Sequence, residues 1–360
     1  MNILIVKLSS LGDVVHAMAA LQDIRQAHPD AHIDWVVERS FAPLVRRCKG
    51  VRRVIPCELR RWRKDMFSQD TRAAWRLFKL ELQSQAYDAV IDLQGLTKSA
   101  LVAWLAALAP GGQRYAMANQ TDGSSFEAPT RWVASRSITL PAHSHAVTRA
   151  RLLCAQALGY HLPFEGSFGL LAHTHNALAA IKNIAFKTGM KGLVAFAHGT
   201  SRTDKQWPLA HWQALGQRLN AAGYLVALLH GSPAEQEVSQ QIAQALAQAQ
   251  VWPLLALDDL LDSLALCSGL IGVDSGLSHV AVALNLAHVQ IYNFDTAWRT
   301  GPLPALSVHG TPLPTRQCSV FAQPCPTVDA VWQAWHSVSR NDARLSATAP
   351  GPAATAHGPG

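Results

Sequence analysis

Three short constellations in this chain carry residue types suited to handling a proton and a diphosphate. Ser9-Ser10-Leu11-Gly12-Asp13 follows an apolar run at residues 3–6. A carboxylate at that point has two readings: a helix N-cap that accepts free backbone N–H groups, or an acid facing a ligand crevice at the carboxyl edge of a sheet. His198-Gly199-Thr200-Ser201-Arg202-Thr203-Asp204-Lys205 follows a second apolar run at 193–197. Hydroxyls and backbone N–H groups at Thr200 and Ser201, with the compact cation of Lys205 behind them, suit phosphate oxygens. Asp274-Ser275-Gly276 follows a third run at 270–273 and leads into an apolar segment carrying His279. Gly276 lets backbone approach a ligand closely, and the helix start behind it offers unpaired N–H groups to an anion. By itself the 198–205 loop reads equally as a solvated connection to a helix begun at Pro208; beside Asp274-Ser275-Gly276 it points to a diphosphate. No cluster of carboxylates marks a metal, which leaves Lys205 and a helix N-terminus to neutralise a leaving group.

A fourth constellation is cationic. The formal net charge is +7, and residues 1–165 hold 21 Lys and Arg against 14 Asp and Glu, while the rest of the chain balances. Within 46–64 stand Arg46, Arg47, Lys49, Arg52, Arg53, Arg60, Arg61, Arg63 and Lys64 against Glu58 alone. On a helix, Arg60 and Lys64 share a face that Arg61 and Arg63 flank. So local a cluster implies a polyanionic surface or ligand, and arginine grips carboxylates and phosphates with two parallel bonds. A solvated basic face is the other reading. Nucleic acid is the weaker option, because no helix-turn-helix or aromatic-interleaved sheet motif accompanies the cations. Trp62 is expected to pack against the domain.

Softer candidates lie elsewhere. Asp92 ends a strand and reads as a cap for a helix starting near Leu96. His145 and Arg149 stand one helical turn apart, where a polar solvent face is the default. Glu235 is placed either to bond ribose hydroxyls or to cap its own helix.

The elements that must position these groups are short apolar strands alternating with helices. Strands are predicted at 3–6, 33–37, 53–55, 89–92, 193–197, 225–229, 270–273 and 289–292, with helices at 14–27, 146–158, 277–284 and 328–338 among others. Two βα series without a sequence repeat predict a doubled Rossmann-like α/β architecture, two domains facing each other across a cleft. At 360 residues, 49% of them hydrophobic, the chain has material for two cores. The division expected is 1–170, 171–325, a C-terminal helix at 326–342 and a disordered tail, rich in Ala, Pro and Gly, at 343–360.

Composition also excludes. The six cysteines are scattered, without Cys-x-x-Cys or zinc spacing, so free thiols in a reducing compartment are expected. No secretory signal precedes the first strand, and the apolar stretch 101–109 is too short to span a bilayer. The expectation is a soluble, cytoplasmic protein. Gly-x-Gly-x-x-Gly, the P-loop and Gly-x-Ser-x-Gly are all absent, which argues against dinucleotide oxidoreductases, P-loop kinases and α/β-hydrolases.

Jointly, Val6-Lys-Leu-Ser-Ser-Leu-Gly-Asp13, Arg60-Arg-Trp-Arg-Lys64, Tyr87-Asp-Ala-Val-Ile-Asp-Leu-Gln-Gly95, Asp204-Lys-Gln-Trp-Pro208 and Val273-Asp-Ser-Gly-Leu-Ser-His279 resemble the lipopolysaccharide heptosyltransferases, from Met1 to about Val338. The resemblance implies a two-domain GT-B fold. It also implies inverting transfer of L-glycero-D-manno-heptose from ADP-heptose to a Kdo residue of lipid A, with no metal and no cofactor, at the cytoplasmic face of the inner membrane. It assigns Asp13 as general base, with Lys205 beside it in the catalytic set. Thr200, Ser201, Lys205, Glu235, Asp274, Ser275, Gly276 and His279 line the donor site. Ser10, Gly12, Arg60, Arg61, Arg63, Lys64, Gln94 and His145 fall to the acceptor, and the cations also to an anionic membrane surface.

Two stretches depart from the family pattern. The usual Gly-Pro-Thr-Asp-Pro reads Tyr292-Asn-Phe-Asp-Thr296 here, and an Ala-Arg-Glu segment reads Thr121-Asp-Gly-Ser-Ser125, without its arginine. Arg131 is a candidate substitute. The rival functions are a heptosyltransferase II-like enzyme adding a later core heptose, and a non-catalytic binder of anionic lipid or nucleic acid.

Overall fold

A computed structural model of the protein describes residues 1–163, 166–173, 190–303 and 315–347. Among these residues twelve strands form two six-stranded sheets, every strand pairing parallel. The first contains β1 (Asn2–Val6), β2 (His32–Glu38), β3 (Val51–Cys57), β4 (Tyr87–Asp92), β5 (Leu108–Met117) and β6 (Arg136–Ile138), in the order β3-β2-β1-β4-β5-β6. The second contains β7 (Gly192–Ala197), β8 (Tyr224–Leu228), β9 (Ala249–Val251), β10 (Gly269–Val273), β11 (Ala287–Tyr292) and β12 (Gln317–Phe321), in the order β12-β11-β10-β7-β8-β9. Numbered from its own first strand, each sheet has the doubly wound order 3-2-1-4-5-6. Its switch point therefore lies beside its first strand, where such folds open a ligand crevice.

Central strands are buried on both faces, which is why they read as continuous apolar runs rather than alternating ones. Ile3, Leu4, Ile5 and Val6 in β1, and Val194, Ala195 and Phe196 in β7, are all buried. Four strands escape that signal. β5 begins Leu-Ala-Pro-Gly-Gly and its pairing with β4 slips between Tyr87 and Ala89; β6 and β9 are three-residue edges and β12 is a partly exposed edge.

The first helix spans Leu11–Ala27, three residues earlier than the hydrophobic pattern predicts, and Ser10 is its N-cap. Asp13 is thus the third residue of the helix and not its cap. The last helix, Val328–Ala347, runs past the expected end at 342 and buries Val331, Trp335 and Val338 against the second sheet. The rest of the expected tail, 348–360, lies outside the described residues, as do 174–189 beyond the expected boundary at 170.

The halves are joined by more than the chain. The helix Leu11–Ala27 packs on the helix Gly276–Ala283, and the buried Arg47 bridges to Asp258 and Asp262 of the helix Leu257–Leu264. The two helix starts interlock through glycines. A Cβ on Gly12 would lie 2.4 Å from the His279 ring, and one on Gly276 would lie 2.8 Å from the Leu11 side chain.

Candidate active site

The loops after β1, β7 and β10 converge on one cleft of about 570 Å³ between the sheets. Ser10, Gly12 and Asp13 line one wall; Thr200, Ser201, Lys205, Glu235, Asp274, Ser275, Gly276 and His279 line the other. All the predicted donor residues are therefore in the cleft. Of the acceptor set, Ser10 and Gly12 are.

Asp13 is held from three sides. Its Oδ2 accepts from the Ser10 N–H at 3.1 Å and the Ser10 hydroxyl at 2.9 Å, and its Oδ1 stands 3.7 Å from Lys7 Nζ. Burial disfavours charge on Asp13, but Lys7 and the Ser10 bonds outweigh it and hold the carboxyl well below the usual range. Lys7 is itself buried, donates to the Leu93 carbonyl at 3.1 Å, and has its pKa lowered chiefly by burial.

Across the cleft, Lys205 Nζ donates to Asp274 Oδ2 at 2.5 Å, and His279 Nε2 lies 3.6 Å from Asp274 Oδ1. Burial opposes charge on Asp274 as well; His279 and Lys205 prevail and depress its pKa. An ionised carboxylate repels phosphate, so Asp274 acts here as the anchor that aims Lys205. Ser275 occupies the N-cap position of the helix Gly276–Ala283 without a side-chain capping bond, and among the described residues its buried hydroxyl meets no partner. Gly276 lets the helix start pack closely against Leu11.

Glu235 reaches the cleft, while Ser232 and not Glu235 is the N-cap of its helix. Glu235 sits in the first turn of the helix Pro233–Gln244, takes the Gly231 N–H at 2.7 Å with Oε2, and lies against Gly199 on the cleft wall. Beyond it Trp252, Leu254, Leu257 and Leu260 make an apolar end suited to a flat base.

Several expectations need correction. Gln94 is buried outside the cleft, and its Oε1 accepts from the Leu8 and Ser9 N–H groups at 3.1 Å each; it shapes the loop before Asp13. His145 and Arg149 do not form a solvent face. His145 caps the helix Ala146–Leu158: Nδ1 accepts from the Val147 N–H, and Nε2 meets the Gly301 carbonyl at 2.9 Å from the other half. Burial pushes its pKa down to about 4, so it is neutral and works as a cross-cleft latch. Arg60, Arg61, Arg63 and Lys64 occupy the short helix Leu59–Lys64, exposed and outside the cleft, with Arg61 paired to Glu58 at 3.3 Å. Trp62 is buried against Trp75 and Phe78, as expected. Asp92 caps its turn, accepting from the Gln94 and Gly95 N–H groups and the Ser99 hydroxyl. Arg131 is exposed and away from the cleft.

Lys7, His16 and Arg299 carried no signal taken up from the sequence, and Arg149, expected on a solvent face, lines the cleft. His16 lines the cleft with its ring 4.3 Å from that of His279, and burial lowers its pKa first, the neighbouring His279 second. A lysine ending a buried strand was the available signal for Lys7. Among the described residues no group of three or more His, Cys, Asp or Glu is arranged to hold a metal ion.

Comparison with known proteins agrees with this geometry. The family model described as glycosyltransferase family 9 (heptosyltransferase) matches residues 75–322. Lipopolysaccharide heptosyltransferase 1 of Escherichia coli K12 is 37% identical over 294 residues, covering 81% of this chain and 88% of that protein. Lipopolysaccharide heptosyltransferase 2 of the same strain is 27% identical over 315 residues, covering 84% and 86%. Among solved structures, the E. coli heptosyltransferase WaaC has been determined with ADP and with ADP-2-deoxy-2-fluoro heptose. The ADP complex matches with a TM-score of 0.78 at 32% identity, over 95% of this chain and 100% of that one.

Proposed function

The chain belongs to glycosyltransferase family 9, the heptosyltransferases, and from that premise we propose that it transfers heptose from ADP-heptose to a Kdo residue of lipid A in the lipopolysaccharide inner core. The observation that carries this reading is the opposition, across one cleft, of Asp13 on one wall and Lys205 with the Gly276 helix start on the other. A later-acting transferase is not favoured, since identity to the first heptosyltransferase exceeds that to the second by 37% to 27%.

In this reading the Thr200 and Ser201 hydroxyls, Lys205 and the N–H groups of the helix Gly276–Ala283 hold the diphosphate, with Glu235 at the ribose and the apolar end around Trp252 at the base. The acceptor hydroxyl sits between Asp13 and the anomeric carbon. As its oxygen bonds to that carbon from the face opposite the diphosphate, the bond from carbon to phosphate oxygen breaks. The configuration inverts, the hydroxyl proton passes to Asp13, and ADP leaves with the electron pair, its charge met by Lys205. A carboxylate with so depressed a pKa is a weak base. Proton transfer concurrent with bond formation asks only that it be ionised and in place.

The same reading puts the enzyme on the cytoplasmic face of the inner membrane as a peripheral protein. Arg60, Arg61, Arg63 and Lys64 are exposed together, Phe67 beside them is 81% exposed and Met66 57%. Cations next to exposed apolar side chains suit anionic headgroups, at about 1 kcal/mol per cation. Among the described residues no helix is long and apolar enough to cross a membrane.

ADP release from ADP-heptose, with and without Kdo-bearing lipid A, tests the proposal. Wild type should release ADP only with acceptor. Asp13→Asn should lose about 10²–10⁴-fold in kcat with little change in the donor KM. Near-normal turnover in that variant removes Asp13 from its role; no release with any Kdo acceptor removes the assignment.

A further inference from the structure

We propose that Arg299, carried by the donor-side half, reaches across the cleft and binds an anionic group of the acceptor together with Arg149. The inference rests on the functional reading above and extends it to a residue which that reading leaves out.

Arg299 lies in the short helix Ala297–Thr300, which follows β11 in the second half, yet this segment is fastened to the first half. The Trp298 ring stacks on His143 at 3.6 Å between centroids and 21° between planes, and His145 Nε2 meets the Gly301 carbonyl. Between these two anchors Arg299 lies over Gly123. A Cβ at Gly123 would stand 2.0 Å from Arg299 Nη1, and the backbone there has φ +68°, a region that favours glycine. The loop 121–125, Thr-Asp-Gly-Ser-Ser, has no cation of its own; Arg299 supplies one from outside.

Arg299 and Arg149 both line the cleft that holds Asp13. Arg149 gives one N–H to the Thr121 hydroxyl at 3.2 Å. Its pKa is lowered first by burial, is raised by Asp13 and is lowered further by Arg299, so the three groups sense one another. The Nε of Arg299 is buried and, among the described residues, meets no hydrogen-bond partner. Two guanidiniums brought together with an unsatisfied donor form a poor arrangement by themselves, and an anion between them repairs it. The diphosphate already has Lys205 and a helix start on the opposite wall, whereas this pair stands on the Asp13 side. The anion is therefore one borne by the acceptor near the reacting hydroxyl, a carboxylate or a phosphate.

Steady-state kinetics on Arg299→Gln, Arg299→Lys and Gly123→Ala test this, with ADP release as readout and thermal unfolding as a check on folding. Arg299→Gln should lower kcat/KM for the acceptor about 10- to 100-fold, through KM, and leave the ADP-heptose KM within twofold. Arg299→Lys should fall between, keeping charge without the fork. Gly123→Ala should displace the guanidinium and act in the same direction. An acceptor with its Kdo carboxylate methyl-esterified, compared with one whose lipid A phosphates are removed, identifies the group. The acceptor that lacks the partner of Arg299 should show no difference between wild type and Arg299→Gln. An unchanged acceptor KM, or a rise in the donor KM instead, overturns the assignment while wild-type turnover keeps the functional reading intact. A wild type silent with every Kdo acceptor overturns both.

Discussion

Arg47→Met removes a buried charge contact between the two halves, and its cost follows from what surrounds Asp262. That carboxylate is fully buried. It accepts from Nη1 of Arg47, from Nη2 at 3.0 Å and from the His173 N–H at 2.7 Å, while Arg47 Nε reaches Asp258 at 2.7 Å. Burial opposes charge on Asp262, but the bonds from Arg47 and His173 outweigh it and lower its pKa. Without Arg47 a buried charge keeps one N–H donor, a loss of about 3–5 kcal/mol. Asp262→Asn leaves Arg47 paired with Asp258 and should cost about 1–3 kcal/mol. Arg47→Met with Asp262→Leu removes both charges and should return to within about 1 kcal/mol of wild type. The pH dependence gives a second handle. The lowered folded pKa of Asp262 contributes stability above its unfolded value of about 3.9, which is lost as pH falls through the folded value. In Arg47→Met that pKa is raised, so stability is lost as pH rises instead. The gap between the two proteins should be widest near neutrality, narrow as pH falls to about 4 and go on closing below it. Urea unfolding at pH 7 and pH 4 measures it. A gap under about 1 kcal/mol at pH 7, or a double variant no better than Arg47→Met, refutes the reasoning.

Two further outcomes follow from the site. Lys205→Met should weaken ADP binding by about tenfold or more in calorimetric titration, because it deletes the cation proposed to meet phosphate and leaves Asp274, with His279 alone beside it, as an anion facing the diphosphate; adding Asp274→Asn should recover part of the loss. Asp92 is buried, which pushes its carboxyl up to about 6 against the bonds from Gln94, Gly95 and Ser99. With a folded pKa raised above the unfolded one, its contribution is full below about pH 4 and lost as pH rises through about 6, roughly 2–3 kcal/mol in all. Asp92→Asn, which keeps an acceptor for both backbone N–H groups, should flatten the stability profile over that window.

The sequence and the fold agree where burial is total and part company at the sheet margins. Seven of the eight legible strands are central, and they read as apolar because parallel central strands need both faces covered; the eighth, β3, is a partly exposed edge legible from its Val-Ile pair. β5 was hidden by Pro110, Gly111 and Gly112, which spell a turn while the chain continues in the sheet with a slipped register. β6, β9 and β12 are edges, too short or too exposed to carry a run. In the site, Asp13, Lys205 and Asp274 were legible because each follows an obvious strand at a switch point. Arg299 and His16 were not, and Arg149 read as a solvent-facing residue, because what gives them meaning is contact between distant stretches. Arg299 meets Gly123, and His16 meets His279. Arg60, Arg61, Arg63 and Lys64 were legible as a charge cluster, but their place outside the cleft depends on where Trp62 packs.

The two switch points use one device in opposite senses. Each presents a helix start to the cleft, and at each a lysine and an aspartate pair beside that start: Lys7 with Asp13 at 3.7 Å, Lys205 with Asp274 at 2.5 Å. Which partner is buried decides what the pair offers. Lys7 is 8% exposed and Asp13 37%, so the first pair shows its carboxylate to the cleft, and the hidden lysine keeps that carboxylate ionised. Lys205 is 21% exposed and Asp274 8%, so the second pair shows its ammonium, aimed by the hidden aspartate. A proton acceptor on one wall and a phosphate cation on the other is the polarity that displacement of a diphosphate by a hydroxyl requires. Exchanging the exposed partners would present a cation to the hydroxyl and an anion to the leaving group. On the proposed function, burial within each ion pair, more than the identity of its residues, sets the direction of the chemistry.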